Sequence, residues 1–103
     1  MPKRHPLTFE EIRARRLAIR DKAVRGKLRL PGAIREMRKA LGMTQAEFAT
    51  HFGLTRLQMI DLEKGRGNPQ AETLLRICRP FGFTLGFVPA EGALEDAEDL
   101  PDR

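Results

Sequence analysis

The chain has 103 residues, with 19 Lys/Arg against 14 Asp/Glu, one cysteine, and neither Trp nor Tyr. That length holds one small domain with tails, which excludes a multi-domain enzyme and leaves a marginal aliphatic core that favours oligomerisation. The lone Cys78 excludes an internal disulfide or an all-Cys metal site, and His5 and His51 have no ligand-spaced companions.

The charge is divided along the chain. Residues 1–30 carry 10 Lys/Arg and 3 acids, residues 31–90 carry 8 and 5, and residues 91–103 carry 1 and 6. A basic body suits a polyanion such as nucleic acid, although acidic proteins and membrane surfaces are also served by basic patches. The N-terminus has no apolar run of signal or membrane length. Cytoplasmic, nucleoid-associated residence in a bacterium is the expectation, with no membrane partner.

In chain order, Thr8 and Glu11 have the spacing of a capping box, so a helix is expected over Phe9 to Val24. Its apolar stripe (Phe9, Ile12, Ile19, Ala23) is thin and interrupted by Arg16. A solvated basic helix and an arm that touches DNA or docks a partner are both open readings. Gly26 and the KLRL run form a linker, giving a first segment over residues 1–29. Pro31 then begins a helix whose Ala33, Ile34, Met37, Ala40 and Leu41 start the core, and Gly42 ends it.

Two helix starts follow only eleven residues apart, Thr44-x-x-Glu47 and Thr55-x-x-Gln58, with Gly53 between them. So short a connection splays the helices, which is helix-turn-helix geometry. Phe48, Ala49 and Phe52 are expected in the core, with Leu54 anchoring the turn. On the second helix of the pair, Met59 and Leu62 point inward, Leu57, Asp61 and Lys64 point outward, and Gly65 closes the helix. Residues 70–79 form a further helix that buries Leu74, Leu75 or Ile77, and Cys78, with Pro80 cutting into its last turn.

The run FGFTLGFV alternates, placing Phe83, Leu85 and Phe87 on one face, so residues 83–88 are expected to be a strand. A lone strand needs another edge, and the nearest copy is the same strand of a second subunit. A homodimer with Phe83, Leu85 and Phe87 at its interface is therefore expected; the alternative is an extended segment lying on the helical core. Residues 90–103 are acidic and expected to be disordered, either simply solvated or acting as a lure for a basic partner. The central segment is thus residues 30–89.

From about Leu30 to Pro69 the chain resembles the Cro and lambda-repressor-type (XRE) helix-turn-helix family, through Thr44, Gln45, Ala49, Gly53, Thr55, Met59, Leu62, Glu63 and Gly65. The fold implied is all-α, a lambda-repressor-like bundle of four to five helices with one C-terminal β-strand. The resemblance implies that Gln45 meets a DNA phosphate and that Arg56, Leu57 and Asp61 face base edges. It places Gln58 at the backbone or groove wall, Lys64, Arg66 and Asn68 on flanking phosphates, and Arg38 with Glu63 as a structural ion pair. Leu57 and Asp61 depart from strong DNA-binding chemistry, since leucine offers only contact to a thymine methyl and aspartate repels phosphates.

The longer layout, through Pro89, looks like that of HipB-type antitoxins, which repress their own operon as dimers and bind a HipA-type kinase toxin. It implies a repressor of a palindromic operator and the antitoxin of a toxin–antitoxin pair. A stand-alone phage- or stress-type regulator, or a toxin-neutralising module with weak DNA binding, are the alternatives. An enzyme is not expected: no nucleophile and base set, phosphate loop or metal constellation is evident, and no cofactor is implied.

Overall fold

Reciprocal caps account for where three of the helices begin. The computed structural model describes residues 6–90, and contains α1 (Phe9–Val24), α2 (Gly32–Ala40), α3 (Gln45–Phe52), α4 (Arg56–Lys64) and α5 (Ala71–Cys78), then a 3₁₀ turn at Arg79–Phe81. The Glu11 amide donates to Thr8 Oγ1 and the Thr8 amide to Glu11 Oε1, each at 3.1 Å. The same exchange joins Thr44 with Glu47 at 3.1 and 2.8 Å, and Thr55 with Gln58 at 3.0 and 2.8 Å. Each box satisfies two backbone donors that would otherwise have no partner in the helix. The Thr8 amide and hydroxyl also hold the Glu11 carboxyl below its ordinary range. Pro31 occupies the cap position of α2, one residue before the first helical one.

The helices pack as pairs, α1 on α2, α2 on α4, α3 on α4, and α3 on α5. Phe48, Met59 and Ile77 form the fully buried centre, surrounded by Ile34, Met37, Ala40, Ala49, Phe52, Leu62 and Phe81. Leu54, in the turn, is half-buried against this core. Gly53 adopts the left-handed conformation at φ 70° that ends α3, and the Leu54 amide then donates back to Ala49 O at 2.8 Å. Arg76 of α5 caps the same helix end by donating from Nη1 to Phe52 O at 2.7 Å.

The first helix is not a loose arm. It runs antiparallel to α2, with Ile19 buried, Arg15 Nη1 donating to Lys39 O at 3.1 Å, and Lys22 paired with Glu36. At the side of this contact, Arg16 donates to Pro80 O and lies over the Phe81 ring. The stripe read from sequence is narrower than expected, because Phe9 is 83% exposed.

At the C-terminal end one helix boundary is sharpened and one expectation is not met. The last helix stops at Cys78, and the chain tightens into the 3₁₀ turn because Pro80 has no amide hydrogen to continue an α-helix. Of its candidate core residues Ile77 and Cys78 are buried, Leu74 is half-buried and Leu75 is exposed. Residues 83–88 are not a strand, and no strand is present among the described residues. The physical reason is that a single chain offers their backbone no free edge to pair with.

Of this segment only Phe83 packs against the helical core, as the alternative reading had it. The Phe83 ring stacks on Phe81 with centroids 5.8 Å apart, and Arg29 Nη2 donates to Pro89 O at 2.8 Å. Beyond Phe83 the cover opens, leaving Leu85 exposed and Phe87 fully so. The expectation of disorder for the acidic tail lies, apart from Ala90, outside the described residues, as does His5.

Among the described residues no helix is long and apolar enough to cross a membrane, and no group of three or more His, Cys, Asp or Glu is placed to hold a metal ion. Cys78 is buried, and that burial pushes its thiol pKa up, leaving it a poor nucleophile.

Candidate nucleic-acid interface

The site is built around one carboxylate. Glu63 lies on the last turn of α4 but faces inward, with its side chain only 7% exposed. Arg38 of α2 meets it through a fork, Nε to Oε2 at 2.6 Å and Nη2 to Oε1 at 3.3 Å. A third donor of the same guanidinium, Nη1, holds Met43 O at 2.9 Å, and Gln45 Nε2 donates to Glu63 Oε1 at 3.0 Å. Burial works to raise the Glu63 pKa, but the hydrogen bonds from Arg38 and Gln45 and the charges of Arg38 and Arg35 outweigh it. The carboxyl is held below its ordinary value near 4.5. Four elements (α2, the turn after it, α3 and α4) are thereby fixed to one another by a charged group that stays ionised.

This knot orients the two helix surfaces that matter for a polyanion. At the start of α3, the amides of Gln45 and Ala46 have no intrahelical partner, and the helix dipole favours negative charge there. The Gln45 amide nitrogen gives one hydrogen to Glu63 and has a second to offer outward. A shallow hollow lies between this helix start and the first turn of α4, lined by Gln45, Thr50, Arg56 and Met59 among others.

On the far side of α4 a second hollow is lined by Gln58, Asp61, Arg66, Asn68, Gln70 and Thr73. The helix therefore stands as a ridge between two concavities. Along the ridge Arg56, Leu57 and Lys64 are exposed, Leu57 to 67%. Gln58 is committed in part, since its Oε1 accepts from the Thr55 amide, while its Nε2 can still donate outward.

Asp61 is less free than its position on the helix suggests. Gly65, at φ 72°, turns the chain back so that the Arg66 amide donates to Asp61 O at 2.8 Å, and the Arg66 side chain reaches Asp61 Oδ1 at 3.5 Å. The carboxylate thus meets any approaching phosphate already paired with a cation. Lys64, Arg66 and Asn68 are all exposed around this turn.

Gln70 and Thr73 also line the second hollow, although the sequence pattern marks their helix only as core. The available signal was position: Gln70 is the cap residue of α5 and opens its N-terminus toward the second hollow. By contrast, Phe83, Leu85 and Phe87 lie at the other end of α5, away from the lining of either hollow.

Comparison with known proteins places the sequence among relatives. Residues 34–88 match the model of the helix-turn-helix family described as "Helix-turn-helix". The chain is 42% identical over 52 residues to an HTH-type transcriptional regulator of Haemophilus influenzae, covering 50% of this chain and 53% of that protein. It is 51% identical over 49 residues to an HTH-type transcriptional regulator of Methanothermobacter thermautotrophicus, covering 48% and 71%. A third such regulator, from Archaeoglobus fulgidus, is 44% identical over 52 residues, covering 50% and 74%. The chain thus spans about half the length of the Haemophilus relative and nearly three-quarters of the archaeal ones. No solved structure is significantly similar to it.

Proposed function

Because the chain belongs to this helix-turn-helix family, we infer that it is a sequence-specific DNA-binding repressor that works as a homodimer on a palindromic operator. The observation that carries this is the α4 ridge, which exposes Arg56, Leu57 and Lys64 while Glu63, on the flank beside Arg56, is locked by its ion pair with Arg38. A helix whose orientation is fixed to three neighbours can present side chains to base edges in a constant register.

In this reading Arg56 and Leu57 meet bases, the former through guanine O6 and N7 and the latter through a thymine methyl. Asp61 enters the groove wall together with Arg66 as a pair. Gln45, with the open amides of α3, and Gln58, Lys64, Arg66 and Asn68 hold the backbone on either side of the ridge. Arg38 and Glu63 serve to hold the geometry.

The test compares two substitutions across a set of operator duplexes that differ by single base pairs. Arg56→Ala should cost about 1 to 3 kcal/mol on the cognate duplex and relax preference at one position. Lys64→Ala should weaken every duplex alike and lower the salt slope by about one. A uniform loss with both variants would remove Arg56 from base reading.

A second role is supported by the apolar surface that DNA does not need. Leu85 and Phe87 are exposed beyond the 3₁₀ turn, where they can pair with a second copy or receive a partner protein. With the antitoxin-like layout, this supports a kinase-type toxin as partner and an operon regulated by its own product. Co-purification with the product of the neighbouring gene, surviving nuclease treatment, is the expected outcome; purification of the chain alone under those conditions would dismiss the toxin.

A further inference from the structure

The DNA reading leaves one basic surface unused. On α1, Phe9, Arg13, Arg16, Leu17 and Arg20 fall within a sector of about 100°, next to the contact with α2, and with Phe81 they line a shallow groove. None of the groove residues comes from α3, α4 or the turn after α4. Arg16 is held by Pro80 O and the Phe81 ring, whereas Arg13 and Arg20 make no hydrogen bond or ion pair among the described residues. Phe9 and Leu17 are both exposed between these cations. Guanidinium groups alternating with exposed apolar side chains suit an acidic peptide that carries a few leucines, since each contact type needs its counterpart.

The chain contains one. Residues 91–103 read EGALEDAEDLPDR, six acids against one arginine, with Leu94 and Leu100 on either side of the acidic run. The described chain also delivers this segment to the right place. Arg29, five residues beyond the end of α1, bonds Pro89 O and, through Nε, Gly26 O at 2.9 Å, so Pro89, two residues before the segment, lies near the C-terminal end of α1. Thirteen residues reach up to about 43 Å, while Arg20 back to Phe9 covers only about 17 Å of helix. Tethering gives the segment an effective concentration of the order of millimolar, which an untethered acidic ligand has to exceed.

We propose that the acidic segment 91–103 docks in cis on the Arg13–Arg16–Arg20 groove of α1, with Leu94 or Leu100 against Phe9, Leu17 or Phe81. Docking neutralises the cations that lie outside the DNA-facing ridge, so that the net positive field is concentrated on α4 and its flanks.

Nuclear magnetic resonance on the full chain tests this. Contacts from the Leu94 or Leu100 methyls to the Phe9 or Phe81 ring are expected at about 0.01 M salt and should fade at about 1 M, as the screening length falls from about 30 Å to about 3 Å. The double variant Arg13→Glu/Arg20→Glu should abolish them, and adding Glu95→Arg/Glu98→Arg to it should restore them. Absence of these contacts in the unaltered chain at low salt would overturn the proposal whatever the variants do. So would contacts from the segment to α4 in place of α1, or contacts seen only between differently labelled molecules in a mixed sample, which would make the occupant a second copy's tail.

Discussion

Glu63 shows how one side chain can fix the orientation of several neighbouring elements. Its carboxyl is held below its ordinary pKa despite burial, because Arg38 and Gln45 hydrogen-bond to the ionised form. A group whose folded pKa is depressed stabilises the fold above its unfolded pKa, and that contribution is lost as pH falls through the folded value. Glu63→Gln is therefore expected to be less stable than the unaltered chain by about 1 to 3 kcal/mol at pH 7. The gap should close as pH drops below the ordinary glutamate value near 4.5. Urea unfolding across the acid range measures this, and a gap independent of pH would mean that the charge of Glu63 contributes nothing. The pair itself was legible only through family resemblance, since its members lie 25 positions apart. The Gln45 bond to Glu63 and the Arg66 bond to Asp61 were not legible, because helical periodicity gives the face a residue occupies but not what a turn brings back to it.

At the scale of elements, the helix starts were legible because their cause is local: a threonine and an acid or amide three residues later close a cap whatever the rest of the fold does. Residues 83–88 were not, because alternation specifies which side chains share a face but a ladder needs a partner that lies elsewhere. The glycine after α4 carries a demand that the sequence only half revealed. A Cβ on Gly65 would lie 2.9 Å from Pro31 Cγ, in addition to the cost of its left-handed backbone, whereas one on Gly67 would meet open space at a similar positive φ. Gly67→Ala is expected to lose about 1 kcal/mol or a little more from backbone strain alone. Gly65→Ala should lose more, because Pro31 at the start of α2 must move as well. Thermal unfolding of the two variants compares them; equal losses would show that the contact between α4's end and α2's start is slack.

For the whole molecule, the described residues form one helical body with an apolar margin at Leu85 and Phe87 and a polar ridge at α4. The proposed homodimer on a palindromic operator requires that two such ridges be held at a fixed spacing, and the 83–88 segment is its proposed seam. Leu85→Asp is expected to dissociate the dimer and weaken operator binding while leaving the melting of the helical body nearly unchanged, since Leu85 is exposed in the single chain. Sedimentation of this variant as an unchanged dimer would place the seam elsewhere.

Specific recognition is tested most directly by the affinity of the purified chain for the DNA upstream of its own gene, set against random duplex of the same length at about 150 mM salt. Binding at least about a thousandfold tighter to the upstream duplex is expected, with protection of two half-sites one helical turn, about 34 Å, or a multiple of it apart. Equal affinity for both duplexes would contradict a sequence-reading α4 and leave the ridge as scaffold.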